Sequence, residues 1–429
     1  MGDVRAVNPF DGPVDADVRP PGSKSITNRA LVCAGLAGGT SRLSGVLVAD
    51  DTEAMLGCLA DLGIVVRFDR SSRTAEIVGC RGRPPVPGAL LDARQSGTTA
   101  RFIAPVAALG HADVVVDGDD QLRRRPMSDI LDALAGLGAV VTPMGEEGHL
   151  PFRLTANGLR GGTIGVAGDL SSQFLSGLLL AAPCMDDELR IDVTTPLVSR
   201  PYVDMTIDVM ARFGAHTRIE NAGSSIVVAP SGYRATSLAI EPDASAASYF
   251  FAAAAITGGR VRVDGLGASS TQGDLAFVDV LEQMGAQVRR NEDWTEVRGT
   301  GRLEGVTVDL SELSDTAQTL AAVAAFASGP TVVTGIGFIR RKETDRIAAV
   351  VTELRRLGIE ATEDPDGFTI IPGPIEPGVV HTYDDHRMAM SFALIGLRTD
   401  GIGIADPDCV AKTYPEYWAD LESIRPGTG

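Results

Sequence analysis

PGSKSITNRA, residues Pro21 to Ala30, is the stretch against which the rest of the chain can be read. Gly22 frees the backbone for a tight approach, and Ser23 or Ser25 can cap a helix. From Ile26 to Ala37 the sequence is almost wholly apolar, until Gly38 and Gly39 stop it. Lys24, Ser25 and Arg29 then fall in or beside a first helical turn. Free N–H groups and the positive dipole end favour an anion there. Taken alone, the same pattern also describes an ordinary capped core helix.

Recurrence separates these readings. Apolar helices opening on small polar residues begin near Lys24, Gly97, Ser171, Ala244, Asp315 and His386, at intervals of about 71–74 residues. They are apolar nearly all round, which predicts burial on every side. A second, amphipathic series ends at Gly63, Gly138, Gly214, Gly285 and Gly358, again about 71–76 residues apart. Each of those glycines is followed by a hairpin-like alternating pair, such as Ile64–Phe68 with Thr74–Val78. The repeating unit is therefore strand, buried helix, strand, outer helix and two strands. Six units fit the chain, the sixth with its outer helix in PEYWADLESI.

The fold class is α/β, in two domains of three βαβαββ units around buried helices. Residues 21–240 form the expected N-terminal domain. Residues 1–20 and 241–429 form the C-terminal one, the first twenty residues pairing back into it. Helix N-termini converging on one face of each domain would make an electropositive cleft between them, and the active site is expected there.

Composition narrows the function. The chain has 429 residues, 44% hydrophobic and 22% charged, which is globular and long enough for two cores. A net charge of −18 argues against nucleic acid or an anionic membrane as the main partner. With no long apolar run and no signal-like N-terminus, a cytoplasmic location is expected. The five cysteines are scattered without a CxxC pair and read as reduced and mostly buried. Of 38 basic residues only Lys24, Lys342 and Lys412 are lysine, and all three lie in motifs. A compact, titratable ammonium, which arginine cannot imitate, explains their retention.

Chemistry-bearing residues gather at the helix starts and the loops beside them. They are Lys24, Ser25 and Arg29; Ser171, Ser172 and Gln173; Arg123–Arg125; Ser199 to Tyr202; Asp315; Arg341 to Arg346; Asp385 to Arg387; and Lys412. This set suits two anionic groups and a polyhydroxylated ring, with a few carboxylates available for proton transfer. The histidines do not cluster at metal spacing and no activated nucleophile is evident, so neither a metal nor another cofactor is expected. Each feature has a bland explanation too. ETDR makes a salt-bridged turn, RRR a solvated loop, SSQ a cap and DDHR a buried network.

Together, PGSKSITNRA, SGTTARF, RRRPM, SSQ, SRPYVDMT, DASAASYF, QGD, RRKETDR, YDDHRMAMSF and KTYPEYW resemble the 5-enolpyruvylshikimate-3-phosphate synthase family of enolpyruvyl transferases, over essentially the full chain. The resemblance implies an inside-out α/β barrel in each domain and a monomer that closes on phosphoenolpyruvate and 3-phosphoshikimate. It further implies transfer of the enolpyruvyl group to the 5-hydroxyl and release of phosphate. By the same resemblance, Lys24 touches both substrates. Ser25, Arg29, Ser171, Ser172, Gln173, Ser199, Tyr202, Asp315 and Lys342 hold 3-phosphoshikimate. Gly97, Arg123, Gln173, Arg346, Arg387 and Lys412 hold phosphoenolpyruvate, while Asp315, Glu343 and Lys24 move protons. Glyphosate is the implied inhibitor.

Two departures from the family pattern stand out. Gln121 occupies a position where many members carry arginine, and Arg123 is expected to supply that charge. RQS precedes Gly97 where others have Gly-Asn-Ala. The sister family acting on UDP-N-acetylglucosamine carries a loop cysteine, but Asp117–Met127 has none. An RNA-terminal phosphate cyclase would bind nucleic acid, which the charge disfavours. A non-catalytic repeat scaffold would not require three lysines and a DHR set at helix starts.

Overall fold

The computed structural model describes residues 3–427. Gly22–Ile240 make one compact unit, and the described residues before Gly22 and after Ile240 make the other. Each has its own apolar core.

Six apolar helices, α1 to α6, lie at the middle of these cores. They are Lys24–Leu36, Gly97–Ala108 and Ser172–Ala181 in one unit, and Ala244–Thr257, Ala317–Ala324 and His386–Gly396 in the other. Within each unit the three helices pack against one another, so nearly every side chain on them is buried. The recurring serine or threonine positions of the second set link its helices. Ser248, Thr319 and Ser391 form a hydroxyl chain with spacings of 3.2 and 3.3 Å. Outer amphipathic helices, such as Asp50–Asp61 and Arg200–Arg212 in the first unit and Arg346–Arg356 in the second, pack against the central ones. The five stop glycines adopt φ between +80° and +105°, a region costly for a side chain.

Sheet pairing shows how the units close. In the second unit of the repeat, Leu90–Asp92 runs parallel to His111–Asp117, which pairs antiparallel with Phe152–Asn157 and then Val140–Pro143. The third and fifth units repeat that order with their own strands. The first and fourth exchange a strand. Ser237–Ala239, next before α4 in the chain, pairs with Gly38–Ser44 of the first unit. Asp15–Val18, next before α1, pairs with Arg260–Asp264 of the fourth. Among the described residues the sixth unit shows no hairpin of its own, and Val4–Val7 runs antiparallel to Ile402–Ala405 in its place. No helix among the described residues is long and apolar enough to cross a membrane.

Candidate active site

In the Gly22–Ile240 unit, Ser23, Ser96 and Ser171 cap α1, α2 and α3, accepting from Ile26, Thr99 and Gln173 N–H groups. Side chains tie these starts to one another. Lys24 Nζ pairs with buried Asp51 at 3.3 Å, and the Asp51 carbonyl accepts from Thr99 of α2 at 3.4 Å. Gln173 Nε2 donates to Thr98 at 3.1 Å, and Arg101 Nη1 donates to Gln173 Oε1 at 2.6 Å. Ser171 and Ser172 lie almost buried beside Gln173. Ser199, at φ +52°, turns the chain into Arg200–Arg212 and places Tyr202 one turn on.

Arg29 is held by four hydrogen bonds within its own unit. The residue is 2% exposed, and its guanidinium donates to Thr206 (2.7 Å), the Ser25 carbonyl (2.9 Å), Ser176 (3.2 Å) and the Tyr202 carbonyl (3.1 Å). It braces α1, α3 and the Ser199 turn against each other. Burial lowers its pKa to about 10, which leaves it charged at neutral pH.

The arginine run divides. Arg123 ends a short exposed helix, donating to Asp117 at 2.9 and 2.8 Å and to Asp120 at 3.3 Å. Arg125, almost fully buried, is the one that reaches Gly97: a Cβ added there would lie 2.8–3.0 Å from its guanidinium. Arg125, and not Arg123, is therefore the member of the run that lies against Gly97. By sequence, Arg125 is grouped with Arg123 and Arg124 but the charge is given to Arg123, although the place of Arg125 before Pro126, where the backbone is restrained, was a usable signal.

In the other unit Asp315, Glu343, Asp385, Arg387 and Lys412 form a charged network around Arg346, which starts a helix capped by Asp345. Arg346 Nε donates to Asp385 Oδ2 at 2.8 Å, and Nη2 to Asp385 Oδ1 at 3.3 Å and Glu343 at 2.8 Å. Nη1 donates to Asp315 Oδ1 at 3.1 Å. Asp315 Oδ2 accepts from Arg387 Nη2 at 2.6 Å, and Glu343 Oε1 pairs with Lys412 Nζ at 3.4 Å. Burial opposes the Arg346 charge, but Asp385, Glu343 and Asp315 outweigh it and raise the pKa. Asp385 also caps α6 through the Arg387 N–H at 2.9 Å. Asp385 and Arg387 of the DDHR motif thus belong to a buried network. Lys342, one residue before Glu343, points its ammonium at the Phe338 ring, 5.8 Å from the centroid.

A further carboxylate, Asp274 of the QGD motif, lies buried on a turn packed against the one that carries Asp315. It accepts from Ser245 in the first turn of α4. Burial, then the charge of Asp315, pushes its pKa up to about 6, while Arg387 pulls it down. All five cysteines are free, and burial pushes the Cys58, Cys184 and Cys409 thiols up to about 12.

The chain has close relatives. A protein from Nostoc punctiforme named 3-phosphoshikimate 1-carboxyvinyltransferase is 45% identical over 416 residues, 97% of this chain and 98% of that one. One of the same name from Yersinia pseudotuberculosis is 42% identical over 415 residues, 96% of each. The EPSP synthase structure from Acinetobacter baumannii superposes with a TM-score of 0.82 at 27% identity, covering 98% of both chains. The enolpyruvyl transferase NikO from Streptomyces tendae, at 18% identity and a TM-score of 0.77 over 99% of this chain and 98% of that one, shares the fold. The family model for EPSP synthase (3-phosphoshikimate 1-carboxyvinyltransferase) matches residues 10–421, and the chain belongs to that family.

Proposed function

We propose that this chain transfers the enolpyruvyl group of phosphoenolpyruvate to the 5-hydroxyl of 3-phosphoshikimate and releases phosphate, a step of the shikimate pathway toward chorismate and the aromatic amino acids. The observation that carries the reading is the family match across residues 10–421, which spans every site residue named above.

The residues suit the roles. Lys24, Ser25, Ser171, Ser172, Gln173, Ser199 and Tyr202 hold 3-phosphoshikimate, with Arg29 bracing them and Lys342 reaching the ring. Arg346, Arg387 and Lys412, with Gly97 and Arg125, hold phosphoenolpyruvate, and Lys24 serves both substrates. The reaction requires the two half-sites to act on one substrate pair. An anion competing for Arg387 draws it from its 2.6 Å ion pair with Asp315 Oδ2 and exposes that oxygen as the base, while Arg346 still holds Oδ1 at 3.1 Å. Asp315 then takes the proton of the 5-hydroxyl as its oxygen bonds to C2, while Glu343 or Lys24 delivers a proton to C3. The product of addition is a tetrahedral ketal phosphate. Loss of a C3 proton and cleavage of the C2–O bond to phosphate restore the double bond. Clustered arginine and lysine neutralise the departing phosphate. The same reading makes the chain a cytoplasmic monomer in which glyphosate competes with phosphoenolpyruvate.

Phosphate release from phosphoenolpyruvate tests the reading, with 3-phosphoshikimate or UDP-N-acetylglucosamine as acceptor. Release is expected with the first alone, and Lys24→Met is expected to lower it by about 100-fold or more, the scale of losing one charge-stabilising donor. Release with the sugar nucleotide alone would move the chain to the sister activity, and release with neither would overturn the reaction.

A further inference from the structure

Two successive residues just ahead of the DHR motif, Tyr383 and Asp384, lie at φ +56° and +55°. Left-handed backbone is unfavourable for any residue with a Cβ, and a run of two needs support from its surroundings. The double bend has a geometric result. It turns the chain so that Asp385 caps α6 and grips Arg346, and it aims Arg387 at Asp315.

Support comes from behind, through Glu353. This residue is fully buried and sits on the Arg346–Arg356 helix, two turns after Arg346 and on the same face. Its Oε1 accepts from the Tyr383 hydroxyl at 2.7 Å. Its Oε2 accepts from the His381 N–H at 3.0 Å and from Arg356 Nε at 2.9 Å. One carboxylate thus holds the chain at two points, on and just before the bend. Burial, with the Glu353 carboxylate, pushes the Tyr383 phenol up to about 12, so it stays a donor across the physiological range.

The helix and the loop are therefore joined twice. Arg346 with Asp385 joins them at the front, and Glu353 with Tyr383 joins them at the back. We propose that Glu353 and Tyr383 are a positioning pair that fixes the spacing of Arg346 and Arg387, and with it the recognition of the anionic groups of phosphoenolpyruvate. Neither side chain is among those assigned above to the substrates. The proposal rests on the reading of the site given above, since it assigns that anion to those arginines.

The test compares Tyr383→Phe, Glu353→Gln, Tyr383→Ala and Tyr383→Gly with the unaltered enzyme. Tyr383→Phe keeps the ring and deletes one hydrogen bond. It is expected to raise KM for phosphoenolpyruvate about 3- to 10-fold, with KM for 3-phosphoshikimate within twofold. Glu353→Gln is expected to go further in the same direction. Glycine adopts the left-handed bend without strain, so Tyr383→Gly is expected to recover part of the KM defect of Tyr383→Ala despite its smaller side chain. A merely structural clamp would affect both substrates alike and would make Gly no better than Ala, and either result overturns the proposal. A crystal structure of Tyr383→Phe reads the same question without turnover. The Thr382–Asp385 turn is expected to relax and the Arg346–Asp385 contact to lengthen. An unmoved turn would sink the positioning role, whereas failure of the unaltered enzyme to transfer enolpyruvate would count against the function alone.

Discussion

Asp274 shows how a single carboxyl can report on this site. Its pKa is pushed up to about 6 because burial and Asp315 disfavour its charge more than Arg387 favours it. The charged groups facing it are Asp315, Arg387 and Asp243, and Ser245 donates to it. A group that holds its proton more tightly in the folded state contributes stability that is complete below the ordinary aspartate value. That contribution is lost as pH rises through about 6. At pH 7.5 the ionised form costs the native state on the order of 2–3 kcal/mol. Asp274→Asn keeps the shape and an oxygen for Ser245 while removing the titration. Urea unfolding is therefore expected to favour the variant, relative to the unaltered protein, more at pH 7.5 than at pH 5. An equal difference at both values would mean that Asp274 does not titrate in this range.

At the scale of elements, function depends on where helices begin. Five of the six central helices open on a side-chain cap, from Ser23, Ser96, Ser171, Asp243 or Asp385. The start of α2 also meets the loop that carries Arg125, and at Gly97 there is no room for a Cβ without moving that guanidinium. Gly97→Ala is expected to raise KM for phosphoenolpyruvate about 3- to 10-fold and to weaken glyphosate more than the substrate. Arg125→Lys is expected to raise the same KM. Because both act through one contact, the double variant is expected to lose less than the product of the two. Steady-state kinetics on the four proteins check this, and strict multiplicativity would show the contact to be irrelevant. Such elements also mark what the sequence revealed. The helix starts and stop glycines were visible because they obey local rules of capping and left-handed φ. So were most of the motif residues, which the fold gathers at those starts. Side-chain direction was not visible. Arg29 turns inward as a brace, and Arg125 rather than Arg123 lies against Gly97, because only packing decides which member of a basic run is buried. Asp51 and Glu353 carried no local signature, since their partners are distant or belong to a bend that pattern alone does not foretell.

Over the whole molecule, the exchange of strands makes the two units unequal as folding entities. Gly22–Ile240 contains every strand of its three sheets, because Ser237–Ala239 completes the first one. Residues 241–429 do not. Two of the sheets in that unit take their outer strands from Val4–Val7 and Asp15–Val18. Without them Ile402–Ala405 and Arg260–Asp264 become edges, and the buried Val7 and Val14 leave the second core. Arg260 would also lose its contacts to Asp15 and Asp17 at 2.9 and 2.7 Å. Unpaired edges over an uncovered core favour aggregation. The chain therefore has to complete its last domain with its first residues, a closure between distant segments that carries the entropy of a long loop. A fragment of residues 22–240 is expected to unfold in urea with one cooperative transition. Residues 241–429 alone are expected to show none, and joining residues 1–21 to their start through a flexible linker is expected to restore it. A cooperative transition for 241–429 alone, at the midpoint of the linked form, would show that the first strands decorate a domain that folds without them. Cooperativity only in the linked form would place the closing of that domain in the opening segment of the chain.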